Sequence, residues 1–137
     1  STVVGMVRGL NTLVLSGHGL AHVPGSVLAR ACLHLLQELD LSHNHISSLP
    51  RAIGKLTSLK RLNVSHNRLA ALPASLTDLA DSLTELDADH NRLADASAAV
   101  IVKLHQLKVL GIKGNLFTSV PMGLHTSLPR LHGLRIE

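Results

Sequence analysis

Hydrophobic positions along the 137-residue chain recur in a fixed motif, L-x-x-L-x-L-x-x-N-x-L-x-x-L-P, with starts at Leu10, Leu36, Leu59, Leu83, Leu107 and Leu131. Successive starts lie 26, 23, 24, 24 and 24 residues apart. A constant period in this range marks a solenoid, because each unit is too small to bury its own apolar face and must stack on its neighbours. Residues 1–137 therefore read as one repeat domain, with five full units, a partial sixth, and the character of a fragment of a longer chain.

The first half of each unit alternates in the manner of a half-buried strand, as in Leu39-Asp40-Leu41, Leu62-Asn63-Val64, Leu86-Asp87-Ala88 and Leu110-Gly111-Ile112. The second half, such as Pro73 to Leu79, sets a proline at the helix start and apolar residues three apart, which predicts a short helical or 3₁₀ turn. A strand followed each time by a return segment on the same side predicts an α/β fold with all strands parallel. The bulkier return side bends the stack into a right-handed arc with the sheet on its concave face. Asn44, Asn67, Asn91 and Asn115 recur where the strand turns away, and their amides suit the backbone groups of a buried bend. They are expected to form a structural ladder.

The units Leu36–Ser58 and Leu59–Ser82, with Leu49-Pro50 and Leu72-Pro73, resemble the leucine-rich repeat family. The resemblance is to its intracellular subclass of 23- and 24-residue L-P repeats, seen in Ras-associated scaffold proteins, and it runs from about Leu10 to Ile136. It implies protein binding through the concave sheet. Three units depart from the pattern. His18 stands at the first Asn position. Ala96-Ser97 replaces Leu-Pro in the fourth unit, where Asp95 to Leu107 reads as a longer helix. The sixth unit stops at a strand, Leu131 to Ile136, so the C-terminal end is expected to be covered by further chain or by a neighbour.

Charge narrows the choice of partner. The chain carries 13 basic and 9 acidic residues and a net charge of +4, a balance that suggests nucleic acid. The outward strand positions run the other way, with Glu38, Asp40, Glu85, Asp87, Asp89 and Glu137 against Arg61, Lys113 and Arg135. An acidic groove repels phosphate, so nucleic acid is not expected there. Glu38, Asp40, Arg61, Asn63, Glu85, Asp87, Asp89 and Lys113 either bind a polypeptide with a basic segment or are solvated strand positions.

His43, His66 and His90 precede the repeat Asn in three successive units, which stacks them in a column about 5 Å apart. A straight column does not converge on a point as a metal site requires, so no metal or other cofactor is expected. Adjacent imidazoles do repel once protonated at about pH 6, which suggests a pH-sensitive surface. Cys32, the single cysteine, is expected in the core and excludes an internal disulfide. With no apolar stretch of about 20 residues, no membrane span is expected, and the reading is an intracellular, cytoplasmic protein. No phosphate loop, nucleophile elbow or metal-protease motif is present, so the chain is not read as an enzyme. The leading expectation is an interaction scaffold. The alternatives are a structural subunit of a large assembly, cytoskeletal, ciliary or ribonucleoprotein, and the recognition arm of a larger enzyme such as a ubiquitin ligase.

Overall fold

The computed structural model describes residues 6–7, 11–17, 19–23, 36–118 and 128–135. The expectations for Leu10, His18, Cys32, Ile136 and Glu137 fall outside these residues. Within them the alternating segments form short strands: β1 (Met6–Val7), β2 (Thr12–Val14), β3 (Glu38–Asp40), β4 (Arg61–Asn63), β5 (Glu85–Asp87), β6 (Val109–Gly111) and β7 (Gly133–Arg135). They lie side by side in chain order as one sheet, with β2 to β7 all parallel. Register is set by the leucines, since Leu13, Leu39, Leu62, Leu86, Leu110 and Leu134 face one another strand to strand. A slip of one residue would turn that whole row out of the core. The core is this row together with Leu41, Val64, Ala88 and Ile112, closed from behind by Ile53, Leu56, Leu76, Leu79, Ile101 and Leu104.

The return segments are 3₁₀ turns at Arg51–Lys55 and Ala74–Leu79. Pro50 and Pro73 sit one residue before these turns, in extended conformation, rather than as their first residue. A fixed φ near −70° serves both places, and the extended ψ lets the chain arrive from Leu49 or Leu72 in the core before it turns. The two turns pack closely at Gly54, where an added Cβ would stand 2.5 Å from the Ser75 carbonyl oxygen.

One expectation needs correction. The fourth return segment is no long helix: a 3₁₀ turn at Asp95–Ser97 runs into one α-helical turn at Ala98–Ile101. Beyond it, Leu104 donates its N–H to Ile101 O and Leu107 donates to Leu104 O. These three-residue bonds tighten the chain so that both leucines enter the core before β6 begins at Val109. The six repeat strands, β2 to β7, are parallel as expected, and β1, which precedes the first repeat, adds an antiparallel edge, Met6 opposite Val14 and Val7 opposite Leu13. Four residues separate Val7 from Thr12, too few for a parallel crossover, which needs about a dozen or more.

Candidate interaction surface

The strand positions that alternate with the core leucines line a groove on the free face of the sheet. Two rows border it. The register aligns Thr12, Glu38, Arg61, Glu85, Val109 and Gly133 in one, and Val14, Asp40, Asn63, Asp87, Gly111 and Arg135 in the other. Glu38, Asp40, Arg61, Asn63, Glu85 and Asp87 all line it, whereas Asp89 and Lys113 do not. Those two lie beyond the strand ends, where the Lys113 N–H donates to Asp89 Oδ1 at 3.0 Å.

Most of the groove's charge is already paired. Arg61 bridges its two row neighbours, with Nη1 to Glu38 Oε1 at 2.8 Å and Nε to Glu85 Oε2 at 3.4 Å. Arg135 binds Asp89 Oδ2 through Nε at 2.9 Å and Asp87 Oδ2 through Nη2 at 3.1 Å. The hydrogen bond to Asp89 holds the Arg135 guanidinium above its ordinary pKa; partial burial opposes it, and Asp87 adds to the rise. Asp89 is itself buried. It is therefore part of the scaffold, and a partner could not reach it without displacing Arg135. Gly111 makes the contact possible, because an added Cβ would fall 2.6 Å from Arg135 Nη2 and 2.7 Å from Asp89 Oδ1.

The second row also holds the turn that follows each strand. Asp40 Oδ1 accepts from the N–H and Oγ of Ser42, at 2.9 and 2.6 Å, and Asn63 Oδ1 does the same for Ser65, at 3.0 and 2.7 Å. Asp87 Oδ1 accepts from the Asp89 N–H at 3.2 Å. This role was readable in the recurring spacing of Asp40-x-Ser42 and Asn63-x-Ser65, in which a side-chain oxygen mimics a backbone acceptor two residues away. Among the described residues, Asp40 is the groove-lining carboxylate that takes part in no ion pair.

Behind the turns, each repeat asparagine spans two units. Asn67 Nδ2 donates to Leu41 O, Val64 O and Ser65 O, and its Oδ1 accepts from the Ile46 N–H. Asn91 and Asn115 repeat the pattern one and two units on, and Asn44 donates to Leu15, Leu41 and Ser42 carbonyls while accepting from the Leu20 N–H.

His43, His66 and His90 stand just before these asparagines with φ of 55°, 55° and 56°. Gly17 and Gly114 hold the corresponding places in neighbouring repeats, also at positive φ. The bend thus demands the left-handed region, which histidine tolerates better than most residues. The imidazoles stack, with centroids 4.3 Å apart for His43 and His66 and 4.5 Å for His66 and His90. Desolvation lowers the pKa of His66, helped by repulsion from His43 and His90 and opposed by Asp87 and Asp89. Among the described residues no group of three or more His, Cys, Asp or Glu is placed to hold a metal ion. No helix among them is long and apolar enough to cross a membrane.

A family model described as a leucine-rich repeat region matches residues 2–136, nearly the whole chain. The chain belongs to the leucine-rich repeat family. The human podocan-like protein 1 is similar to this leucine-rich repeat chain, with 36% identity over 129 residues, covering 91% of the chain but 19% of the relative. A crystal structure of an internalin (inlF) from Listeria monocytogenes superposes with a TM-score of 0.64 at 22% identity, over 82% of this chain and 37% of that one. The likeness to the internalin is one of fold. The chain spans about a fifth of the curated relative's length and just over a third of the internalin's.

Proposed function

We propose that this leucine-rich repeat domain is a non-catalytic module that holds a partner polypeptide in its concave groove. The observation that carries the reading is Asp40. It lines the groove with one oxygen committed to Ser42 and the other without an ion pair, beside Val14 at the weakly charged end. Glu38 and Glu85 share Arg61, and Asp87 shares Arg135, so a basic side chain entering the groove meets least competition at Asp40. The partner this favours presents one Lys or Arg next to an apolar residue.

The test is affinity capture from the native cell type by the wild-type chain, Asp40→Asn and Asn63→Ala, followed by titration of the captured partner. Asp40→Asn keeps an acceptor for Ser42 and removes the charge, and it should weaken binding by about tenfold. Equal affinity for all three proteins would remove the groove as the binding surface.

The same reading sets the domain inside the cell, among scaffold proteins with short L-P repeats. Leu49-Pro50, Leu72-Pro73 and a single cysteine support it. Recovery of the tagged natural protein in the cytosolic fraction is the expected result, and recovery from the medium would overturn it.

A further inference from the structure

The edge along which the chain leaves the strands differs in charge from the groove. Two exposed rows run along it on either side of the buried asparagines. His43, His66 and His90 form one, and His45, Arg68 and Arg92 form the other. Lys113 continues the edge in the next repeat. None of these seven side chains takes part in an ion pair among the described residues. The carboxylates beside the histidine column, Asp87 and Asp89, are both paired with Arg135, and Asp89 is buried. The two rows cover three successive repeats, and Lys113, at the place of Asp89 rather than in either row, extends the strip to a fourth, a length of about 15 Å at the ordinary strand spacing.

We infer that this edge is a second docking surface, separate from the groove, and that it takes an acidic polypeptide segment in extended conformation. The two-row layout carries the choice of partner. Successive side chains of an extended peptide point to opposite sides, so a run of Asp or Glu laid over the asparagines offers alternate carboxylates to the imidazole row and the guanidinium row. About five such residues span the strip. A nucleic-acid strand fits it less well. Its phosphates need a single cationic track and its bases need open aromatic faces, whereas the facing surfaces of these imidazoles cover one another and the flanking groove is acidic.

The imidazoles make the attraction depend on pH. His66 faces His43 and His90 along the column and Asp87 and Asp89 from the end of β5. Without a ligand its protonation is resisted by desolvation and by the neighbouring rings. A bound row of carboxylates relieves that repulsion, so binding draws protons onto the column and tightens as pH falls from 7.5 to about 5.5.

The experiment measures polarisation of a dye-labelled hexa-aspartate peptide, whose carboxylates stay ionised at pH 5.5, with the 137-residue chain at pH 7.5 and pH 5.5. Affinity should rise by about tenfold at the lower pH, the sum of several weak exposed ion pairs. Replacing the column's histidines together (His43→Asn, His66→Asn, His90→Asn) should abolish the rise between pH 7.5 and pH 5.5. Arg68→Gln with Arg92→Gln should weaken binding at both pH values by about tenfold. Asp40→Asn should have no such effect, which separates this surface from the groove. If the arginine variant binds as well as wild type, or a hexanucleotide binds more tightly than the peptide, the inference is overturned. Circular dichroism of each variant confirms that the fold is kept.

Discussion

Arg135 reaches back over the bare backbone of Gly111 to Asp89, 46 residues earlier, with a Nε to Oδ2 distance of 2.9 Å. The contact crosses two repeat boundaries and ties β7 to the turn after β5. Gly111→Ala would drive a methyl group into both partners, and the expected loss is about 1–3 kcal/mol in urea denaturation. Arg135→Ala removes the same contact by another route. The double variant should therefore lose less than the two single losses combined, and strict additivity would show that Gly111 matters for some other reason.

Asn67→Ala should be among the most damaging single changes. It leaves the Leu41, Val64 and Ser65 carbonyls and the Ile46 N–H without their side-chain partner in a buried bend. A cost of about 3 kcal/mol is expected from unsatisfied buried groups. Asn115→Ala, at a half-buried bend, should cost less. Thermal unfolding of the two variants side by side ranks them.

His66 predicts how stability moves with pH. Its pKa is lowered in the folded chain, so between the folded and unfolded values the unfolded chain binds more protons. The contribution is fully present above about pH 6.5 and is lost as pH falls through the folded value. The midpoint of thermal unfolding should therefore drop between pH 7 and pH 5. His66→Asn, which tolerates the same positive φ, should flatten that slope. His66→Val should lower the midpoint at every pH, because a β-branched residue is strained there.

The convex turns offer a pair of opposite outcomes. Gly54→Ala places a methyl group against the Ser75 carbonyl, and a loss of about 1–3 kcal/mol is expected. Ser75→Ala removes a buried hydroxyl that has no hydrogen-bond partner among the described residues. Such a group gains nothing from burial, so this change should be neutral or raise stability by up to about 1 kcal/mol. Chemical denaturation of both variants checks the contrast.

What the sequence disclosed followed from its period. Leu39, Leu62, Leu86 and Leu110 repeat at nearly constant spacing, and that alone dictates parallel strands in register. What it concealed were interactions that cross several repeats or break the pattern. Arg135 and Asp89 both look like free outward charges until the sheet sets Gly111 between them. The helix expected over Asp95 to Leu107 shrinks to Ala98–Ile101, and its short extent was hidden because the apolar positions there suit a helix face as well as a tightening 3₁₀ descent. β1 lies before the first repeat, where periodicity says nothing. The positive φ at His43, His66 and His90 was legible in principle, since Gly17 and Gly114 share their place in the repeat.

The asparagine ladder also governs how the domain comes apart. Asn44, Asn67, Asn91 and Asn115 each grip a carbonyl of the preceding unit and of their own at once, so none of the first five units can peel off without breaking such a link. Pulled from its ends, such a stack behaves as a riveted strip rather than a string of beads. It resists at every joint and then yields as a falling row of dominoes, each lost link exposing the one behind it.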